Sequence, residues 1–246
     1  MPEFSVVLLA ACMFLAAALY TSVGHAGASA YIALMALFGF APIVMRPTAL
    51  ALNIVAAAIS SLRYVHAGLF RWRVIWPFLL GSVPFAFIGG GLQLPGVYYR
   101  PLVGVILLIS GVRLLWPADL RTNLTPRDPP ILVGIFLGST LGLLSGLTGV
   151  GGGIFLSPLL LFVGWAGTKP TSGIAAVFIL CNSIAGLLGN ISVIPALPPD
   201  LPVYAIAVIL GAAVGSTLGI WWRPPMVLKA LGLVLIIAGI KLVGVY

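Results

Sequence analysis

Two glycine-rich stretches, at equivalent places in the two halves of the chain, have the composition of a binding site. The glycines that precede two short apolar segments are Gly24, Gly27, Gly149, Gly151, Gly152 and Gly153. A glycine-rich loop that leads into a helix exposes backbone N–H groups, and the helix N-terminus adds positive potential. The pattern therefore predicts that the two stretches bind a small anion between them.

Polar side chains near these glycines are candidates for further contacts to the same anion. Those that can donate a hydrogen bond are Ser22, His25, Asn53, Ser145, Thr148 and Asn182. A buried amide in a membrane must find a partner, so bonding between helices explains Asn53 and Asn182 as well as substrate contact does. Two roles are equally open for His25. It could be a titratable gate, or it could cap a helix or bond to a carbonyl.

Acidic residues are too few, and too far from the apolar segments, for several other kinds of chemistry. Glu3, Asp119, Asp128 and Asp200 are the four in the chain, and all fall in terminal or loop positions. Without a carboxylate inside an apolar segment, a cation site or proton relay is disfavoured. The chain also lacks the Gly-x-Ser-x-Gly and His-Glu-x-x-His motifs of hydrolases. We therefore expect no catalytic residue, no metal site and no cofactor.

The composition shows what kind of element must position these residues. Of 246 residues, 61% are hydrophobic and 7% are charged, whereas soluble domains carry roughly 25% charged residues. The apolar runs are unbroken and not alternating, which indicates an all-α polytopic membrane protein and excludes a transmembrane β-barrel. The net charge of +8 comes from basic residues scattered between these runs, a pattern typical of membrane anchoring and not of nucleic-acid binding.

Ten apolar segments are predicted, and two of them are too short to cross a bilayer as helices. The ten are Phe4–Ser22, Ala28–Phe40, Pro47–Leu62, Val74–Leu92, Pro101–Trp116, Ile131–Ser145, Gly153–Trp165, Thr171–Gly189, Leu201–Trp221 and Met226–Tyr246. The second and seventh would each span about 20 Å, against a hydrocarbon core of about 30 Å.

Residue patterns recur in register between the two halves. Gly81 and Gly89 recur as Gly211 and Gly219, and the sequence Arg-Pro-Thr at residues 46–48 recurs as Lys-Pro-Thr at residues 169–171. Five segments per half is an odd number, so the second copy must be inverted in the membrane. We predict two inverted repeats, residues 1–122 and 123–246, each with one short segment that is broken or re-entrant.

Basic residues concentrate on one side of this topology. That side holds nine of the twelve, namely Arg63, Arg71, Arg73, Arg113, Arg121, Arg127, Lys169, Arg223 and Lys229. The other three are Arg46, Arg100 and Lys241. Because cytoplasmic loops are enriched in Lys and Arg, the count predicts a multi-pass protein of the cell inner membrane with both termini in the periplasm.

Several motifs resemble those of a known transporter family. The stretch Gly146–Pro158, GLTGVGGGIFLSP, is similar to the glycine-rich signature of the sulfite exporter TauE/SafE family. The stretches Gly24–Gly27, Tyr64–Gly68 and Lys169–Ser172 also resemble that family, and the similarity extends over essentially the whole chain. The resemblance implies a bacterial inner-membrane carrier for sulfite, sulfonates and related sulfur anions.

The anion site and the resemblance together predict a secondary transporter, in the export direction, that works by alternating access. Its expected partners are the lipid bilayer and a small anion of the sulfite, thiosulfate or sulfonate class, without nucleic acid; a homo-oligomer is left open. Two alternatives are an anion or small-solute channel and a scaffold subunit that transports nothing, in which the glycines only pack helices.

Overall fold

The structure is a computed structural model that describes residues 3–115, 127–191, 197–221 and 225–244. Over these ranges the chain forms ten α-helices, which confirms the predicted all-helical architecture. They are α1 (Glu3–Thr21), α2 (Ala28–Leu37), α3 (Pro42–His66), α4 (Trp72–Gly91), α5 (Gly96–Leu115), α6 (Ile131–Thr148), α7 (Gly153–Val163), α8 (Thr168–Asn190), α9 (Leu201–Trp221) and α10 (Pro225–Gly244). The predicted starts of the third and fifth segments, at Pro47 and Pro101, are wrong, because α3 already begins at Pro42 and α5 at Gly96.

Six of the described helices, α1, α3, α4, α6, α8 and α9, are long and apolar enough to cross a membrane. In contrast, α2 has 10 residues and α7 has 11. The predicted boundary between the two repeats, at residues 122 and 123, lies outside the described residues.

One end of the bundle, here called the 92–95 end, is marked by the connection between α4 and α5. The loop at residues 38–41 and the C-terminal ends of α8 and α10 lie at the same end, since Pro42, Asn190 and Leu242 line one pocket together with residues 93–97. The Lys241 ammonium donates to the carbonyls of Ala36 and Leu37, at 3.1 and 3.3 Å, so α2 also finishes there.

The opposite end, here called the 67–71 end, contains the connection between α3 and α4. Arg71 forms an ion pair of 3.0 Å with Asp128, in the segment that leads into α6. The backbone N–H of Arg127 donates to the carbonyl of Gly164, at 3.2 Å, so α7 finishes at this end. The helices α2 and α7 therefore lead to opposite ends of the bundle.

Glycines allow two pairs of helices to pack in parallel at backbone contact. Along α6, a Cβ atom at Gly138 or Gly142 would overlap the backbone of Phe78 or Ser82 in α4. The other pair is α1 and α9, in which Gly211 and Gly215 face α1 and Gly219 faces Ser22, the residue that follows α1. Lipid provides no hydrophobic drive for helices to associate, so membrane helices use small residues to gain close van der Waals contact.

We expect Gly142→Ala to destabilise the bundle by about 1–3 kcal/mol, the usual cost of overpacking a close contact. The matched control is Gly96→Ala at the first residue of α5, where a Cβ atom would meet nothing within 4 Å. Chemical unfolding of both purified variants measures the difference. Equal stability of the two would show that α4 and α6 can separate at no cost.

Candidate functional site

The first glycine break, residues 22–27, starts at the 67–71 end and returns into the bundle. At its start, the Tyr64 hydroxyl donates to the carbonyls of Thr21 and Ser22, at 3.0 Å each. At its finish, the N–H of Ala28, the first residue of α2, donates to Asn53 Oδ1 at 3.2 Å. Because Asn53 lies near the middle of α3, the break covers about half of the crossing and α2 covers the remainder.

The second glycine break, residues 149–152, makes the same kind of return from the other end. The Tyr99 hydroxyl donates to the Thr148 carbonyl at 3.1 Å, and a Cβ atom at Gly149 would lie 3.2 Å from the Arg46 Cγ atom near the start of α3. The break then reaches the middle of the bundle, where α7 begins. Each short helix therefore completes a crossing that its break begins.

Gly151 shows why glycine is required in this break. Its φ angle is +83°, a conformation that costs a residue with a Cβ atom about 1–2 kcal/mol. A Cβ atom there would also overlap the Asn53 amide nitrogen and lie 3.3 Å from the Ser183 hydroxyl. The backbone at Gly151 thus approaches α3 and α8 at once.

The two breaks meet at His25. Its Nε2 atom lies 3.2 Å from the Gly153 carbonyl oxygen and 3.2 Å from the Ser157 hydroxyl, both in the first turns of α7. The N-termini of α2 and α7 therefore start at neighbouring points inside the bundle, with the positive ends of both helix dipoles directed there. No group of three His, Cys, Asp or Glu side chains lies close enough to hold a metal in the described part of the chain.

Asn53 connects the helices around this point. Its Oδ1 accepts from the N–H of Ala28, and its Nδ2 donates to the Ser183 hydroxyl at 2.9 Å. Asn53 is completely buried. These contacts join α2, α3 and α8, as expected if Asn53 bonds helices together.

Three of the other predicted donors bond to a carbonyl three or four residues earlier in the chain. Ser22 donates to Leu19 at 2.7 Å, Thr148 to Leu144 at 2.7 Å and Asn182 to Phe178 at 2.8 Å.

Two polar atoms of the predicted residues are buried and have no hydrogen-bond partner: Ser145 Oγ and Asn182 Oδ1. A Cβ atom at Gly152 would lie 3.4 Å from the Ser145 Cβ atom. Among the predicted anion donors, Ser145 therefore has a hydroxyl beside the break that is available to bond to a ligand.

The predicted residues do not form a single cluster. Gly24 lies against Ser172, near the start of α8 at the 67–71 end, whereas Gly149 lies against Arg46 near the opposite end. The residues that come together in the interior are those around the start of α7: His25, Asn53, Ser145, Gly151, Gly152 and Gly153.

Sequence reasoning missed Arg46, because the predicted third segment begins after it. Arg46 lies inside α3 with 5% of its surface exposed, and its guanidinium donates to the Gly89 and Leu92 carbonyls at 2.8 Å each and to the Gly90 carbonyl. A charged side chain among membrane helices is costly and usually functional. Its position on the side with few basic residues was the signal that could have identified it.

We expect Gly151→Ala to lower the free energy of unfolding by more than Gly39→Ala does. Gly39 has a similar φ of +79°, but a Cβ atom there would meet nothing within 4 Å. The control should therefore lose only the conformational term of about 1–2 kcal/mol, and Gly151→Ala should lose about 1–3 kcal/mol more through overpacking. Equal losses of unfolding free energy in the two variants would mean that Asn53 can move away from the new methyl group at no cost.

Comparisons with known proteins identify the family. The family model described as sulfite exporter TauE/SafE matches residues 9–242. A protein of Sinorhizobium fredii (strain NBRC 101917 / NGR234), described as probable membrane transporter protein y4hK, is 38% identical over 238 residues, which cover 95% of this chain and 96% of that protein. No solved structure matches the chain significantly. The chain belongs to the sulfite exporter TauE/SafE family, and it is a membrane transporter and not an enzyme.

Proposed function

We propose that this transporter exports sulfite or a related sulfur oxyanion or organosulfonate across the bacterial inner membrane. In this proposal the anion binds between the two glycine breaks during alternating access. The observation that carries the proposal is the contact of His25 with Gly153 and Ser157. That contact brings together two interrupted crossings that come from opposite ends of the bundle.

The start of α7 has the donors that an oxyanion needs. The N–H groups of Phe155 and Leu156 donate to the Gly152 carbonyl, which leaves those of Gly153 and Ile154, at the very start of α7, as the candidate backbone donors. The Ser145 hydroxyl is buried without a partner at the same place. Backbone donors, a hydroxyl and converging helix dipoles favour an anion and disfavour a cation. The sulfur class comes from the family, whose model is described as a sulfite exporter.

The helix pairings support two inverted repeats that interlock, because the most extensive contacts join a helix of one half to a helix of the other. The closely packed pair α4 and α6 has its counterpart in α9 and α1, and the contact of α4 with α8 has its counterpart in that of α9 with α3. Exchange of the two halves of the chain converts each pairing into the other. We therefore retain the two inverted repeats, residues 1–122 and 123–246, as part of the proposal.

The membrane potential alone can drive export. If the 67–71 end, with its excess of basic residues, faces the cytoplasm, an anion leaves a negative compartment. Moving one charge in this direction gains about 2.3 kcal/mol per 100 mV. Flux by the purified protein that required a co-transported ion would overturn this uniport form.

The test is sulfite flux into proteoliposomes that contain the purified protein, compared for wild type, Ser145→Ala and Ser110→Ala. We expect saturable flux and an apparent affinity at least about tenfold weaker in Ser145→Ala, since a hydrogen bond to a charged group contributes about 1.5–3 kcal/mol. The free energy of unfolding should not fall, because Ser145 Oγ has no partner to lose. Ser110, a buried serine in α5 that bonds to Ile106, is the control and should transport as wild type does.

Three outcomes would contradict parts of the proposal. Flux that does not saturate would favour the channel. A folded protein that transports none of sulfite, thiosulfate, sulfate or simple sulfonates would favour the scaffold. Saturable flux that Ser145→Ala leaves unchanged would place the anion away from the second break.

A further inference from the structure

A pocket of about 710 Å³ opens at the 92–95 end and reaches inward to Arg46. It lies between the start of α3, the residues that connect α4 to α5, and the ends of α8 and α10. Pockets of about 300–1,000 Å³ are typical for organic ligands. The space therefore exceeds what a bare oxyanion needs.

The charged residues that line this pocket are both cations. Arg46 lies at its inner part, and Arg100 lies on its exposed side. None of the described lining residues is acidic. The guanidinium of Arg46 bonds to carbonyls at the C-terminal end of α4, and its Nε atom is buried without a partner. Among the described lining residues, therefore, no carboxylate neutralises this positive charge.

Most of the remaining lining is apolar. Prolines and aliphatic side chains form it: Pro42, Ile43, Leu94, Pro95, Val97 and Leu242. Such a surface gains free energy by covering an apolar ligand, at about 0.8 kcal/mol per buried methylene in transfer data, which corresponds to about fourfold in affinity. The pocket thus combines a cationic inner part with an apolar wall.

The inner part of the pocket adjoins the second glycine break. A Cβ atom at Gly149 would lie 3.2 Å from both the Cγ atom and the carbonyl oxygen of Arg46. Tyr99, which also lines the pocket, donates to the Thr148 carbonyl. A ligand held on Arg46 is therefore separated from the break by a single layer of residues.

We propose that this pocket is a second anion-binding site, selective for an organic anion with an oxyanion head and an apolar body. The head binds at Arg46 and Arg100, and the body lies on the apolar wall. The role of the pocket as the waiting site beside the second break depends on the proposed transport function, whereas binding itself does not.

A purely structural role for Arg46 is the competing explanation. Lys241 provides the comparison, because its ammonium also donates to the last carbonyls of a helix, α2, at the same end. Lys241 is not among the residues that line the pocket. If Arg46 only caps α4, replacing Arg46 or Lys241 should lower the stability of the protein and should not change ligand binding.

The experiment measures binding of linear alkanesulfonates from methane to hexane, with sulfite and hexan-1-ol as references, to the full-length protein in lipid nanodiscs by calorimetry. We expect affinity to rise by about fourfold per methylene until the wall is covered, with no binding of the neutral alcohol. Arg100→Gln should weaken hexanesulfonate at least about tenfold. Arg73→Gln, which removes an exposed cation at the opposite end, should leave binding as in wild type.

Two further variants separate the explanations. Arg46→Lys keeps the charge but loses the planar guanidinium, and it should weaken hexanesulfonate while Lys241→Gln does not. Equal binding by wild type, Arg100→Gln and Arg46→Lys would overturn the pocket site, as would an affinity independent of chain length. The Ser145→Ala flux measurement tests the break site separately, so failure of one proposal is distinguishable from failure of the other.

Discussion

The constraint on which the structure depends is the need to satisfy backbone polar groups where two crossings are interrupted. In a bilayer an unpaired N–H or C=O group costs several kcal/mol, so irregular backbone survives only where protein encloses it. Three side chains from other helices provide partners at the breaks: Tyr64, Tyr99 and Asn53. The close glycine contacts of α4 with α6 and of α1 with α9 bring these helices near enough to enclose both breaks.

The two breaks are satisfied by different residues, although their backbones follow similar courses. The carbonyls at the end of α1 accept from Tyr64 in α3, whereas the carbonyl at the end of α6 accepts from Tyr99 in α5. Arg46 is buried on the end of α4, whereas Lys169, at the matching place in the second half, is exposed. The two ends of the bundle therefore differ in their polar groups, and among the described residues the buried cation lies at the 92–95 end.

Local sequence was sufficient for the helices but not for the site. Hydropathy and the positions of glycines predicted all ten helical segments, because the length and periodicity of an apolar run can be recognised from adjacent residues alone. The contacts of Asn53 with Ala28 and Ser183, and of His25 with Gly153, join residues far apart in the chain. No spacing predicts such pairs. Arg46 was missed for a smaller reason, since a helix that starts at Pro42 and continues through Pro47 departs from the usual expectation that proline interrupts a helix.

Electrostatics supports the proposed preference for anions in a chain with 7% charged residues. A buried guanidinium has one full positive charge, whereas the end of a helix contributes about half a negative charge. The carbonyls of α4 therefore neutralise only part of the positive charge of Arg46. None of the described lining residues is an Asp or Glu that could neutralise the remainder. In a low-dielectric interior such an excess attracts anions and repels cations strongly. In the proposed pocket site the scarcity of carboxylates is thus itself part of the selectivity, because any carboxylate beside Arg46 would take the place that the proposed anion needs.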